Sequence, residues 1–106
     1  MKMSKRMNDR VLVAERESRV VGVLSLHIMT MFHLGGRVCR VTSLVVSKDF
    51  RKRYIGRRLM DMAEAYARAS GCVQIEVTSN ARRADAPLFY DRLGYTAESQ
   101  RFVKKI

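Results

Sequence analysis

Acidic side chains are scarce in this sequence: 10 Asp and Glu stand against 21 Lys and Arg, leaving a formal net charge of +11. The deficit predicts attraction to polyanions, whether nucleic acid, an anionic membrane or a phosphorylated ligand, without choosing among them. Proline occurs once and glycine six times in 106 residues, which excludes a linker or a disordered tail. With 47% hydrophobic and 29% charged residues, the composition is that of one globular domain. Long apolar runs are missing too. None approaches the roughly 20 residues of a membrane span, and Met1 to Arg6 is not followed by a signal-peptide core, so no membrane association and a cytoplasmic location are expected. Cysteine is limited to Cys39 and Cys72, each inside an apolar strand-like run with no Cys or His at metal spacing. That argues for buried thiols and against a disulfide or a metal site. The two histidines, His27 and His33, read as strand-surface residues.

What is present has a clear order. After a basic leader over residues 1–10, a single domain is expected over 11–106. Residues 11–16 are rich in β-branched side chains and end in the polar break Glu17-Ser18-Arg19, a hairpin turn. A second apolar run covers residues 20–29, Gly35-Gly36 offers φ > 0 positions for another hairpin, and a third strand follows over residues 37–47. The period then changes. Ile55, Leu59, Met62, Tyr66 and Ala69 recur at steps of four and three, one face of a helix, with Glu64 and Arg68 at i,i+4 and Gly71 as the C-terminal stop. Val73, Ile75 and Val77 alternate with polar residues over 73–78, a strand that a right-handed crossover lays parallel to the third. A shorter helix is predicted from about residue 82 to Leu93, with Pro87 confined to its first turn or Asp85 as its N-cap, ended by Gly94. Tyr95 to Val103 reads as a last strand or hairpin.

The sharpest local signal is Phe50 to Arg58, where five of the eight residues from 51 to 58 are basic. At a helix start, backbone N–H groups and the positive end of the dipole make an anion site suited to phosphate or pyrophosphate. Gly56, without a Cβ, would let such a ligand approach the backbone. The segment matches neither G-x-x-x-x-G-K-[ST] nor G-x-G-x-x-G, so a P-loop nucleotidase and a dinucleotide-binding enzyme are not supported.

Residues Leu44 to Met60, with Arg51-Lys52-Arg53-Tyr54-Ile55-Gly56 at their centre, resemble the acetyl-CoA-binding motif Gln/Arg-x-x-Gly-x-Gly/Ala of the GCN5-related N-acetyltransferases (GNAT). Asn80 followed by Ala86-Pro87-Leu88-Phe89-Tyr90-Asp91-Arg92-Leu93-Gly94-Tyr95 resembles the family's second signature, in the right order and with a strand between the two. The resemblance covers residues 11–106. It implies an α/β (α+β) fold, a mixed and mostly antiparallel sheet of about six strands with two helices, lacking the family's usual N-terminal strand and two helices. It further implies acetyl-CoA as co-substrate and transfer of its acetyl group to the amine of an unidentified acceptor. By the same resemblance, backbone groups of Leu44, Val45 and Val46 would pair with the pantetheine arm, and Arg51, Lys52, Arg53, Tyr54, Ile55, Gly56 and Arg57 would hold the pyrophosphate. Asn80 and Tyr90 would face the thioester, the tyrosine as proton donor to the departing thiolate.

The sequence departs from the family at three points. Tyr54 replaces the motif's first glycine, so its ring must point away from the pyrophosphate, stack on the cofactor or obstruct it. Val41-Thr42-Ser43 carries no carboxylate to deprotonate the acceptor, leaving Glu76, otherwise read as a solvent-exposed sheet carboxylate, as the nearby substitute. The elements that usually precede the first hairpin are replaced by the leader, which would expose apolar sheet and predicts a homo-oligomer. Two other functions compete: a CoA-binding relative without catalysis, and a basic module binding nucleic acid through phosphate contacts and stacking.

Overall fold

The computed structural model describes residues 2–6, 9–32, 35–50, 54–77, 86–96 and 104. Strands β1 (Lys2–Arg6), β2 (Asp9–Arg16), β3 (Arg19–Met31) and β4 (Gly36–Val46) form an antiparallel meander. Helix α1 (Ile55–Ala69) then crosses over to β5 (Cys72–Val77), which pairs parallel to β4, as the βαβ reading requires. The sheet order is β1-β2-β3-β4-β5, and the short helix α2 (Ala86–Arg92) follows.

The leader is corrected at once. Lys2–Arg6 is an edge strand, and β2 starts at Asp9 rather than at residue 11. A short, basic strand is what a sheet edge tolerates, and polar sequence of this kind gives no alternating apolar signal to read. The expected sixth strand falls mainly on residues 97–103, outside the described residues, and Tyr95 and Thr96 are not in a strand.

The β2–β3 hairpin turns on Glu17 and Ser18, both left-handed at φ 51° and 63°, the conformation a two-residue turn needs to match strand twist. Among the described residues of the next hairpin, only Gly35 has positive φ, at 68°. Gly36 instead begins β4, where a Cβ would stand 2.8 Å from Cγ1 of Val73. The second glycine of the pair serves packing, not the turn.

On one face of the sheet Leu12, Leu24, Leu26, Ile28, Cys39 and Val41 pack with Ile55, Leu59, Met60, Ala63 and Ala67 of α1. Each fully buried leucine contributes roughly 1.5–3 kcal/mol of transfer free energy. The helix face differs from the expected one: Ile55, Leu59, Ala63 and Ala67 form an i,i+4 stripe, whereas Met62 and Tyr66 are half-buried and Ala69 is exposed. Small alanines carry the contact because α1 lies close to the sheet. Where α1 crosses β3, a Cβ on Gly22 would meet Ile55 and Leu59 at 3.0 Å. Gly71, at φ 75°, ends the helix as predicted, its N–H donating to the Arg68 carbonyl. Pro87 is the second residue of α2, where its missing N–H costs nothing, and Gly94 closes that helix at φ 90°.

Candidate functional site

The site begins where β4 leaves β5. The parallel ladder runs from Arg37↔Cys72 to Val41↔Val77, while the β3–β4 ladder continues to Gly22↔Val46. Leu44, Val45 and Val46 therefore lie past Val77, the last described residue of β5, in the part of β4 that pairs with β3 alone among the described residues. Val46 is buried against Gly56, Leu44 is half-buried in the core, and Val45 is 61% exposed on the other face. The strand ends when the Ser47 N–H donates to the Val21 carbonyl at 2.7 Å, and Lys48–Phe50 make one 3-10 turn.

Arg51, Lys52 and Arg53 lie outside the described residues, as does Asn80. Tyr54, the N-cap of α1, sits at φ 61°, ψ 15°, and its carbonyl accepts the Arg58 N–H at 3.0 Å. This left-handed conformation gives a physical reason for a glycine at that motif position. The tyrosine ring is 72% exposed and caps nothing. Ile55 is buried in the core, and the first turn of α1 contains Arg57 but no acid, so the dipole's positive end is reinforced rather than neutralised.

Gly56 has a role that the sequence reading placed elsewhere. A Cβ there would stand 3.3 Å from Cζ of Phe89 and 3.7 Å from Cγ2 of Val46, so the missing side chain makes room for α2. The close approach seen at this glycine is of a protein ring to the helix. Tyr90, next to it, is half-buried, edge-on to Phe89 at 5.1 Å between centroids and to Tyr95 at 6.0 Å. The Tyr95 hydroxyl donates to Glu64 Oε2 at 2.8 Å. Burial, then the Glu64 carboxylate, hold the Tyr95 phenol well above the usual tyrosine range. Glu64 also meets Arg68 at 3.5 Å, the expected i,i+4 pair.

Glu76 is not the solvent-exposed carboxylate expected from its strand. It is half-buried and accepts a hydrogen bond from Nε of Arg40, its register partner across the parallel ladder. Ile75 and Val77 join the core on the α1 side, so the alternation of β5 puts Glu76 on the opposite face. Tyr90 packs against the core from the α1 side. The structure thus places Glu76 and Tyr90 on opposite faces of the sheet.

Sequence reasoning passed over several polar residues beside Glu76. Arg40 is one; His27, hydrogen-bonded through Nδ1 to Oδ1 of Asp9, is another. Ser25 bonds to Thr42 at 2.8 Å and to Ser43 at 2.6 Å, where the β3–β4 register shifts between Ser25↔Ser43 and Leu26↔Val41 and leaves Thr42 as an added residue. Only the register reveals these neighbours. Cys39 is buried and Cys72 half-buried, and both are free thiols; burial pushes Cys39 up to about 12 and raises Cys72 as well. Among the described residues no group of three His, Cys, Asp or Glu could hold a metal, and no helix is long and apolar enough to cross a membrane.

An antiparallel meander, a parallel βαβ end and a helix start with no acid in its first turn define a mixed α+β fold. Residues 7–97 match the model of the acetyltransferase (GNAT) domain, and the chain belongs to that family. It is 36% identical over 99 residues to the aminoalkylphosphonate N-acetyltransferase of Salmonella typhimurium, a match covering 93% of this chain and 64% of that protein. The fold superposes with a TM-score of 0.86 on a transcriptional regulator from Bacillus halodurans, at 25% identity over 96% of this chain and 69% of the other. It also superposes on an aminoglycoside N-acetyltransferase, AAC(6′)-Iy, in complex with CoA, with a TM-score of 0.83 at 16% identity over 95% of this chain and 78% of that one. The chain thus spans less than two thirds of the length of its Salmonella relative.

Proposed function

We propose that the protein is an N-acetyltransferase that moves the acetyl group of acetyl-CoA to an acceptor amine by direct attack. The observation that carries this reading is the β4–α1 junction: β4 runs on past the last described pair of its ladder with β5 and leads into a helix start bearing basic residues and no acid. In this reading the backbone of Leu44, Val45 and Val46 holds the pantetheine arm. The turn from Arg51 to Arg57 holds the pyrophosphate, and Asn80 faces the thioester. The bound co-substrate supplies the activated acyl group. Tyr90 gives its phenolic proton to the departing sulfur, and Glu76 accepts one from the amine. The exposed Val45 and Val20 support burial against a second copy, which makes an oligomer part of the same proposal.

The direct test is to heat the protein with acetyl-CoA at physiological salt beside ATP and a short oligonucleotide, then to follow amine-dependent release of free thiol. Ligand at ~100 times its Kd adds about 2.7 kcal/mol to stability, a shift of several degrees. Stabilisation by acetyl-CoA alone, with thiol release that requires an amine, is the expected result. Equal response to the oligonucleotide would favour non-specific polyanion binding.

A further inference from the structure

Four charged or ionisable residues form one row across the sheet on the face opposite α1. Asp9 and His27 are register partners on β2 and β3, His27 and Arg40 on β3 and β4, and Arg40 and Glu76 on β4 and β5. Directly opposed residues share a face, and the α1 face is fixed by Gly22, Leu24, Leu26 and Ile28, which alternate with Ser25 and His27 along β3. With neighbouring strands roughly 4.8 Å apart, the row spans about 14 Å. Its sequence of groups is carboxylate, imidazole, guanidinium, carboxylate. Cation and donor groups occupy the centre, and a carboxylate stands at each end.

The row lies one residue pair before Val41↔Val77, the last described pair of the β4–β5 ladder, and β4 continues from it through Thr42 and Ser43 to the Leu44 to Val46 segment. Both Arg40 and Glu76 are part-exposed, at 36% and 29% of their side chains, so their ion pair can be reached from solvent. Arg40 donates Nε to Glu76 on one side and has His27 as its register partner on the other, so the terminal nitrogens of its fork are further donors in the same row. His27, hydrogen-bonded through Nδ1 to Asp9, has Nε2 as its second ring nitrogen there.

We propose that this row is the acceptor subsite, and that it selects a small amine carrying an oxyanion on a short chain. The inference rests on the acetyltransferase reading and adds to it the substrate class and the residues that read it. The oxyanion binds the terminal nitrogens of Arg40 beside His27, and the ammonium binds Glu76, so the ligand's two charges replace the partners that Arg40 and Glu76 now give each other. Glu76 takes one ammonium proton. The amine lone pair attacks the thioester carbon, the C–N bond forms and the C–S bond breaks. The sulfur leaves with the electron pair and ends as thiol by gaining a proton, while the nitrogen loses its second one. The proton on Glu76 passes to solvent and the Arg40–Glu76 pair closes again. The products are an N-acetylated amine, free CoA and one proton.

The test compares β-alanine and 2-aminoethylphosphonate with n-propylamine, which lacks the anion. Charge-assisted hydrogen bonds of this kind are worth about tenfold or more, so kcat/KM for at least one zwitterion is expected to exceed that for n-propylamine by that factor. Which arm responds tells carboxylate from phosphonate. Arg40→Met should collapse the ratio toward one, mainly through KM, while Arg40→Lys, which keeps the charge, should retain part of it. A wild-type ratio near one, or a ratio that Arg40→Met leaves intact, overturns the proposal with the acetyltransferase reading untouched. A binding readout separates the two failures: titration of either zwitterion should move the Arg40 Nε–H resonance in a proton–nitrogen NMR spectrum at concentrations where n-propylamine, which lacks the anion, does not. Movement without any acetyl transfer keeps the subsite and removes the acetyltransferase reading; no movement with either zwitterion removes the subsite.

Discussion

The Cβ that Gly56 lacks would stand 3.3 Å from the tip of the Phe89 ring, so the second helix is seated on the first turn of α1. Replacing a helical glycine by alanine ordinarily gains about 1 kcal/mol. Here Gly56→Ala should gain nothing, because Phe89 must shift to admit the methyl group. In a Phe89→Leu background the same substitution should recover about 1 kcal/mol, a coupling measurable by urea unfolding of the four proteins in the cycle. Additive effects would show that the ring does not constrain the glycine.

Tyr54 holds a left-handed conformation at φ 61° that costs an ordinary residue roughly 1–2 kcal/mol. Tyr54→Gly removes that strain and should raise stability by about 1 kcal/mol, or about 4–8 °C in melting temperature for a domain of this size. Because the ring is exposed and caps nothing, acetyl-CoA affinity should hold or rise. Weaker binding in calorimetry would mean that the ring stacks on the cofactor.

Tyr90 packs edge-on between Phe89 and Tyr95, an arrangement that phenylalanine preserves. Tyr90→Phe should therefore leave the melting temperature near that of the parent. If the hydroxyl is the proton donor, kcat should fall on the order of 100-fold with KM for acetyl-CoA unchanged. An unchanged kcat assigns the tyrosine to packing alone.

Alkaline pH should weaken the fold through two groups. Burial, and then the neighbouring Cys72, raise the Cys39 thiol from 9.0 to about 12, and burial with Glu64 raises the Tyr95 phenol. The unfolded chain releases these protons first, so the stabilisation is complete below pH 9 and is lost as pH climbs toward the folded values. Melting temperature should decline from about pH 9 upward. Cys39→Ala should remove the earliest part of the decline and Tyr95→Phe the later part; a flat profile in the parent would contradict both assignments.

The sheet order, the crossover and the long helix were legible because alternation in residues 73–77 and a helical period from Ile55 are local signals. The strand Lys2–Arg6 was not, since its pairing is dictated by the edge of β2 rather than by its own pattern. The face of α1 was misjudged because large residues such as Met62 and Tyr66 draw the eye from the alanines that make close contact. Among the proposed site residues, Tyr90 and the Leu44 to Val46 segment were named through resemblance to two ordered motifs. Glu76 was visible too, but its partner was not: Arg40 is 36 positions away in sequence, and only the parallel register joins them. The Asp9–His27 pair was hidden in the same way, by a register that begins inside what reads as a leader.

The added residue at Thr42 shifts the phase of β4 halfway along its length. Before it, Cys39 and Val41 point toward α1; after it, Leu44 and Val46 do, where an uninterrupted strand would have turned Ser43 inward. Deleting that one residue would leave Val41, Leu44 and Val46 on the α1 side in unbroken alternation, with Ser43 alone facing Ser25. β4 is in effect two short strands of opposite parity spliced into one, the first half paired with both β3 and β5 and the second, among the described residues, with β3 alone.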